Sequence, residues 1–394
     1  MSEHRSDIIR NLLTDLKMDA WLMWRTASLT MSLGYFPCWG LSFCLFPKAG
    51  QPVLYLPALE PKDRLPEAGT LIKEYPWGLL DASDPWEVLF EEVFRDIKAM
   101  GMAPENVLCL KDSSQNAPNS YSGESPALND KFLDRIYNTF KVAEGEEEDA
   151  LKGLFTIKLP NEIENIRLAN KVAGKALKTF YEHAVPGMTE ARLAALIEMS
   201  IQETMGTSDI IYSRGWAMVQ AGKNSIDGGR YSRTTGKSLE EGEPVMLELA
   251  TCVNGHWSDL TRTTAATDLK AEQKKIFEIV AKAQLLALEQ VAPGAIAEDI
   301  DRTAREHIEA NGLGEYFTHA TGHHTGFRYH DYGPVLAPGV MDALQPGMVI
   351  TVEPGIYSAE HQIGCRIEDN VLVTETGYEL LSPFPKGLFW DQTD

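Results

Sequence analysis

An Asn-Gly pair at positions 254 and 255 limits how the second half of this chain can fold. Two apolar segments, residues 244–251 and 257–263, flank the pair. Asn-Gly is a strong signal for a two-residue hairpin turn, so the sequence predicts two antiparallel strands here. Side chains alternate between the faces of a strand, and Glu248 and Asp259 can therefore share one face. Taken alone, Glu248 and Asp259 are more simply explained as two carboxylates on the solvent side of a sheet.

A histidine-rich segment supplies a second kind of donor. Four of the nine histidines of the chain lie within twelve residues, together with two glycines that permit tight backbone turns. Neutral imidazole is the commonest metal ligand in proteins, so this density indicates a metal or catalytic site. The four are His319, His323, His324 and His330.

Two further predicted strands, residues 348–353 and 366–373, each carry a carboxylate in an apolar setting. Glu353 shares a face with Thr351, and Glu368 shares a face with Arg366. Burying a carboxylate is costly unless it is paired or bound to a metal. One histidine with four carboxylates is a nitrogen-and-oxygen site that suits Mn, Co, Fe or Zn, and five ligands exceed what one ion needs. The sequence therefore predicts two divalent ions held by Glu248, Asp259, Glu353, Glu368 and a histidine of the segment 319–330.

The order and spacing of these segments resemble the creatinase/prolidase/methionine aminopeptidase family. The first two ligand positions are eleven residues apart in the family hairpin, as they are here. The resemblance covers residues 158–382 closely and extends loosely to residues 28–35. The segments that carry it are Lys158–Arg167, Ser258–Thr263, His319–His330, Val352–Ile356 and Arg366–Thr374.

The resemblance implies a C-terminal pita-bread catalytic domain of the Xaa-Pro peptidase type. It implies that Glu248 and Asp259 hold one ion and that Asp259, His323, Glu353 and Glu368 hold the other. Asp259 and Glu368 would bridge the two ions, and Glu353 would accept a proton from the attacking water. His319 and His330 would line the pocket and steady the substrate. Arg366 would orient the bridging carboxylates or bind a substrate carboxylate. His324 has no role in the family pattern, and a packed or exposed histidine is the simpler expectation.

Two positions depart from the family pattern. Glu248 stands where the metal-dependent peptidases have Asp, which suggests that one ion is weakly or differently held. The family also carries a catalytic histidine 17 or 18 residues before the first ligand, and Tyr231 and Arg230 occupy those positions. These two residues, or Arg233, are expected to bind an anionic group of the substrate.

The whole chain reads as two domains. It has 394 residues, which favours more than one domain. Short apolar strands and one helical stretch, residues 86–100, predict a smaller α/β N-terminal domain over residues 1–155. Residues 156–394 are expected to form the catalytic domain, in which helices cover a mostly antiparallel sheet. The overall fold class is therefore α+β.

Composition excludes several functional classes. A formal charge of −21 argues against nucleic-acid binding, which needs clustered Lys and Arg. No apolar run approaches the roughly 20 residues that span a bilayer, and the polar N-terminus does not resemble a signal peptide. The expected location is the cytoplasm, with no membrane partner. Five scattered cysteines predict neither a disulfide framework nor a cysteine metal site.

An aromatic loop, residues 35–43, allows two interpretations. In relatives similar to creatinase, such a loop reaches the pocket of the other subunit, which implies a homodimer with Trp39 near the substrate. A hydrophobic core segment explains the same residues equally well.

Three functions remain open from the sequence. The first is a metal-dependent Xaa-Pro peptidase acting on a short peptide. The second, favoured by the absent histidine, is a creatinase-like hydrolase or lyase acting on a small nitrogen- or sulfur-containing metabolite. The third is an inactive module that binds a protein partner, which the retention of all five ligand positions argues against.

Overall fold

The computed structural model describes residues 4–38, 41–62, 65–66, 69–77, 84–111, 130–207, 209–229 and 233–389. Residue contacts divide the chain into two compact units, Met1–Phe155 and Thr156–Asp394. The domain bounds, residues 1–155 and 156–394, stay a prediction. Among the described residues, no helix has the length and apolar character that crossing a bilayer requires.

The first unit is a mixed sheet flanked by helices. Its strands are β1 (Ala20–Met23), β2 (Phe43–Pro47), β3 (Val53–Pro57), β4 (Leu71–Tyr75), β5 (Val107–Cys109) and β6 (Lys141–Val142). They lie in the order β4-β3-β2-β1-β5-β6, with β1 antiparallel to β2 and parallel to β5. Helix α3 begins where Asp84 accepts a hydrogen bond from the Trp86 amide and where proline occupies the first turn. The helices are α1 (Arg5–Asp15), α2 (Thr26–Leu33), α3 (Pro85–Ala99), α4 (Asp130–Thr139) and α5 (Glu146–Gly153).

The second unit is built around the hairpin that the Asn-Gly pair predicts. Strands β8 (Pro244–Val253) and β9 (His256–Ala265) pair so that Val253 lies opposite His256. Asn254 and Gly255 have φ of 50° and 85°, and the positive values are those of a type I′ turn. Strand β7 (Ser213–Ala221) completes an antiparallel sheet in the order β7-β8-β9. A 3-10 segment, Gly222–Gly229, follows β7.

Four amphipathic helices cover the sheets of this unit. Helices α6 (Pro160–His183) and α7 (Glu190–Gln202) share a hydrophobic core with the β7-β8-β9 sheet. Helices α8 (Ala271–Glu289) and α9 (Ala297–Ala310) pack against the later strands. The α+β fold class is thereby confirmed.

The later strands differ from the prediction at one point. They are β10 (Val349–Val352), β11 (Gly355–Ser358), β12 (Ile363–Arg366), β13 (Asp369–Val373) and β14 (Tyr378–Leu380). The continuous strand predicted over residues 366–373 is wrong, because β12 pairs with β11 whereas β13 pairs with β10. The break falls opposite Pro354, which has no amide proton to continue the ladder. Glu368 lies in this break.

Candidate metal centre

The five predicted ligands come from separate elements that converge on one place. Glu248 lies in β8, Asp259 in β9 and Glu353 directly after β10, while Glu368 lies between β12 and β13. Ligand atoms lie within 4.8 Å of one another in each of two groups of side chains. One group is His323, Glu353 and Glu368, and the other is Glu248, Asp259 and Glu368.

The hairpin register explains how the first two ligands meet. Asp259 lies opposite Ala250, and Thr261 lies opposite Glu248. Because positions two apart on a strand share a face, Glu248 and Asp259 project to the same side of the sheet. The amide of Glu368 donates to the Thr261 carbonyl at 3.1 Å, which brings the third carboxylate to this face.

The histidine segment runs beside β10 through backbone hydrogen bonds. The Thr351 amide donates to the His323 carbonyl and the Glu353 amide donates to the Thr321 carbonyl, both at 2.7 Å. A Cβ at Gly322 would lie 2.0 Å from the Thr351 carbonyl oxygen, so only glycine allows this approach. This pairing places the imidazole of His323 against Glu353.

His323 presents one nitrogen to the carboxylates. Its Nδ1 lies 2.9 Å from the His324 carbonyl oxygen, which can only accept, so Nδ1 carries the proton and Nε2 has a free lone pair. Nε2 lies 3.3 Å from both Asp259 Oδ2 and Glu353 Oε1. Ligands at about 2.1 Å from an ion lie roughly 3–3.5 Å apart at tetrahedral or octahedral angles. The distances therefore fit shared coordination of one cation.

Two of the ligand carboxylates lie in a buried setting. Asp259 and Glu368 are each 1% exposed, and among the described residues Asp259 Oδ1 and Glu368 Oε1 make no hydrogen bond. Burial, and then the neighbouring carboxylates, raise the pKa of Asp259 and of Glu353 well above the ordinary value. Burial also raises the pKa of Glu368. Such a cluster is satisfied by a divalent cation, and the residues present fit one.

Glu248 is engaged by other side chains. Its carboxylate forms an ion pair with Arg366, and it accepts a hydrogen bond from the Tyr329 hydroxyl. Thr261 Oγ1 lies 3.2 Å from Glu248 Oε2 and donates to Glu368 Oε2 at 2.7 Å. A cation at Glu248 therefore competes with a guanidinium group.

The remaining predicted residues border this cluster. Tyr357 hydroxyl lies 2.9 Å from both His319 Nε2 and Arg366 Nη1. Burial lowers the pKa of His319. The ring of His330 is exposed and lies 4.1 Å from the ring of His323, centroid to centroid. Burial lowers the pKa of His323 to about 3, so its ring is neutral and able to bind a cation.

The sequence profile of metallopeptidase family M24 matches residues 164–375, which is more than half of the chain and contains all five clustered side chains. The chain belongs to metallopeptidase family M24. The resemblance identified in the sequence is confirmed, as is the assignment of the chain to the metallopeptidases.

Individual M24 relatives extend this result over most of the chain. An uncharacterized peptidase of Staphylococcus haemolyticus is 36% identical over 264 residues, which are 67% of this chain and 73% of the relative. The crystal structure of the prolidase from Pyrococcus horikoshii OT3 is 25% identical, with a TM-score of 0.77 over 98% of this chain and 100% of that one. A Xaa-Pro dipeptidase from Bacillus anthracis is 25% identical, with a TM-score of 0.78 over 98% and 99% of the two chains. The pita-bread M24 domain and the smaller N-terminal domain are therefore confirmed.

Two tyrosines at the site were not predicted from the sequence, and three predicted site residues lie where the structure gives no description. Tyr329 and Tyr357 contact the site, yet a tyrosine side chain gives no sequence signal of such a role on its own. The predicted substrate-binding residues Trp39, Arg230 and Tyr231 lie outside the described residues.

His324 is a packed histidine, in agreement with the simpler expectation. It is 0% exposed, and neither ring nitrogen has a hydrogen-bond partner among the described residues.

Proposed function

We propose that this M24 enzyme hydrolyses the Xaa-Pro bond of short peptides with two divalent metal ions. The observation that carries the proposal is the convergence of Asp259, His323, Glu353 and Glu368. Within the described part of the chain, the buried Asp259 Oδ1 and Glu368 Oε1 have no hydrogen-bond partner, and His323 Nε2 lies 3.3 Å from two carboxylates. Preference for proline rests on the prolidase and the Xaa-Pro dipeptidase to which the chain is similar.

The ligand set divides into a stronger and a weaker position. Asp259, His323, Glu353 and Glu368 would hold one ion, and Glu248 with Asp259 and Glu368 would hold a second. The second ion is the weaker, because Glu248 already pairs with Arg366. Ions of this type lower the pKa of water and polarise a carbonyl when bound. Mn, Co, Fe or Zn fits the donor set, and the three carboxylates of the stronger position favour Mn.

The protein side chains would carry the proton transfer and orient the substrate. Glu353 would take the proton of the attacking water, because its side chain is 14% exposed while Asp259 and Glu368 are sealed from solvent. His319, fixed by Tyr357, and the exposed His330 would position the peptide carbonyl and the leaving nitrogen. Arg366 would hold Glu248 and the hydroxyl of Thr261 in place.

Several expectations from the sequence remain proposals. We infer that Arg230 and Tyr231 take over substrate binding where relatives place a histidine. The homodimer, with Trp39 near the substrate of the other subunit, and the cytoplasmic location also stay predictions.

A matched peptide series tests the proposed function. The purified enzyme, loaded with Mn²⁺ or Co²⁺, should hydrolyse dipeptides and tripeptides that carry proline after the scissile bond. It should act poorly on the same peptides with alanine at that position, and chelation should remove the activity. Metal-loaded enzyme that is inert on every Xaa-Pro peptide would contradict the proposal.

A further inference from the structure

His330 belongs to a second possible ligand set at the metal centre. Asp259, His323 and His330 offer ligand atoms that all lie within 4.8 Å of one another. The set shares His323 with the group that includes Glu353 and Glu368. His330 has an exposed side chain, whereas Glu368 is 1% exposed, so the second set lies toward solvent.

The tautomer of His323 prevents both sets from being filled together. The proton on Nδ1 is held by the His324 carbonyl at 2.9 Å, which leaves only the lone pair of Nε2 for a metal. One lone pair binds one ion. A cation coordinated by His323 therefore occupies either an inner position with Glu353 and Glu368 or an outer position with His330.

Two further features support the outer position. Asp259 Oδ1 is buried and makes no hydrogen bond among the described residues, so this carboxylate retains a free donor atom. The ring of His330 stacks on the ring of Tyr329, with 4.8 Å between the ring centroids and an interplanar angle of 15°. The centroid of the His330 ring lies 4.1 Å from that of the His323 ring. The stacking holds the imidazole beside Asp259 and His323.

The two positions differ in chemistry. The inner set has one imidazole and up to three carboxylates, a hard donor set that suits Mn²⁺. The outer set has two imidazoles and one carboxylate, the combination found at many zinc sites, and zinc accepts the four-coordinate geometry that such a set allows. We propose that the centre contains an outer, zinc-selective position formed by Asp259, His323 and His330, which excludes the ion of the inner position.

This inference rests on the proposed function and adds a way in which a metal ion would regulate that activity. A Zn²⁺ ion in the outer position would occupy His323, which the inner ion needs, and His330, which would position the peptide. Zinc would therefore bind tightly while opposing turnover, and Mn²⁺ would support it.

Metal affinity measured without any substrate tests the outer position. Equilibrium dialysis of the metal-free protein against Zn²⁺ and, separately, Mn²⁺ compares wild type with His330→Gln. Loss of a direct ligand should weaken Zn²⁺ binding by at least about 100-fold, more than the loss of a group behind a ligand. Mn²⁺ affinity should stay within about threefold of wild type, which also shows that the variant is folded. His319→Gln, the same change at the pocket histidine bound to Tyr357, should leave Zn²⁺ affinity unchanged.

The outcomes separate the two proposals. If His330→Gln weakens Zn²⁺ alone, the outer position is supported. If the variant changes neither affinity, or weakens Zn²⁺ and Mn²⁺ equally, the outer position is wrong and the proposed peptidase is untouched. If wild type binds neither ion, the metal-dependent function itself fails. X-ray absorption at the zinc edge gives a second reading, with two imidazoles per ion in wild type and one in the variant.

Discussion

Glu353 is the carboxylate of the centre with the best access to a water molecule. Its side chain is 14% exposed, and Thr351 Oγ1 donates to its Oε1 at 3.1 Å. Glu248 is similarly exposed at 12% but is held in the ion pair with Arg366. This access to water is the reason that Glu353 is the proposed proton acceptor.

Replacing this carboxylate tests the assignment. Glu353→Gln should lower kcat by roughly 10²–10⁴-fold, because removing a general base costs that much, and weaker metal binding would add to the loss. Glu375→Gln is the matched control, since Glu375 is exposed and lies away from the centre. Steady-state kinetics on a Xaa-Pro dipeptide measures both variants. Glu353→Gln with wild-type kcat would exclude Glu353 as the proton acceptor.

At the scale of elements, a buried charge network fixes the segment that carries Glu368. Asp369 accepts from Arg262 at 2.7 Å, from Lys386 at 2.6 Å and from Gln284 at 2.8 Å. These partners come from β9, the C-terminal segment and α8. Arg262 Nη1 also donates to the Glu368 carbonyl. The network outweighs burial and lowers the pKa of Asp369 to about 2.

Breaking this network should affect both folding and metal binding. Asp369→Asn leaves Arg262 buried without its counter-charge, which should reduce the free energy of unfolding by roughly 3–5 kcal/mol. Weaker Mn²⁺ binding should follow because Glu368 loses its support. Asp268→Asn, at an ion pair with Lys274 whose Asp side chain is 74% exposed, should cost under about 1 kcal/mol. Urea unfolding that gives equal losses for the two variants would contradict the proposed role of the network.

The sequence predicted those parts of the centre that local patterns determine. The Asn254-Gly255 turn set the register of β8 and β9, and strand alternation then placed Glu248 beside Asp259. The break before Asp369 was not predictable from residues 366–373, because it depends on a change of strand partner opposite Pro354. Tyr357 was missed for a similar reason, since its contacts to His319 and Arg366 join residues distant in sequence.

For the whole molecule, buried neutral histidines link stability to pH. His256 is 4% exposed beside the ring of Phe327, and burial lowers its pKa to about 4 from an unfolded value of 6.5. The pKa of His256 is lower in the folded state than in the unfolded state. The contribution of neutral His256 to stability is therefore full above pH 6.5 and is lost as the pH falls toward 4.

A substitution isolates this contribution. Between pH 6.5 and 4 the metal-free wild type should lose roughly 3 kcal/mol more unfolding free energy than His256→Leu, at about 1.36 kcal/mol for each unit of pKa shift. Urea titrations at several pH values measure how steeply the unfolding free energy depends on pH for wild type and for His256→Leu. Parallel slopes would show that His256 is not the buried neutral group described.

The central claim is that Glu248, Asp259, His323, Glu353 and Glu368 form the metal centre. Anomalous diffraction from crystals soaked in Mn²⁺ tests it most directly. We expect a strong peak bonded to Asp259, His323, Glu353 and Glu368, and a weaker peak beside Glu248 that grows as the Mn²⁺ concentration is raised. Crystals that take up Mn²⁺ elsewhere and show no anomalous peak among these five side chains would contradict it.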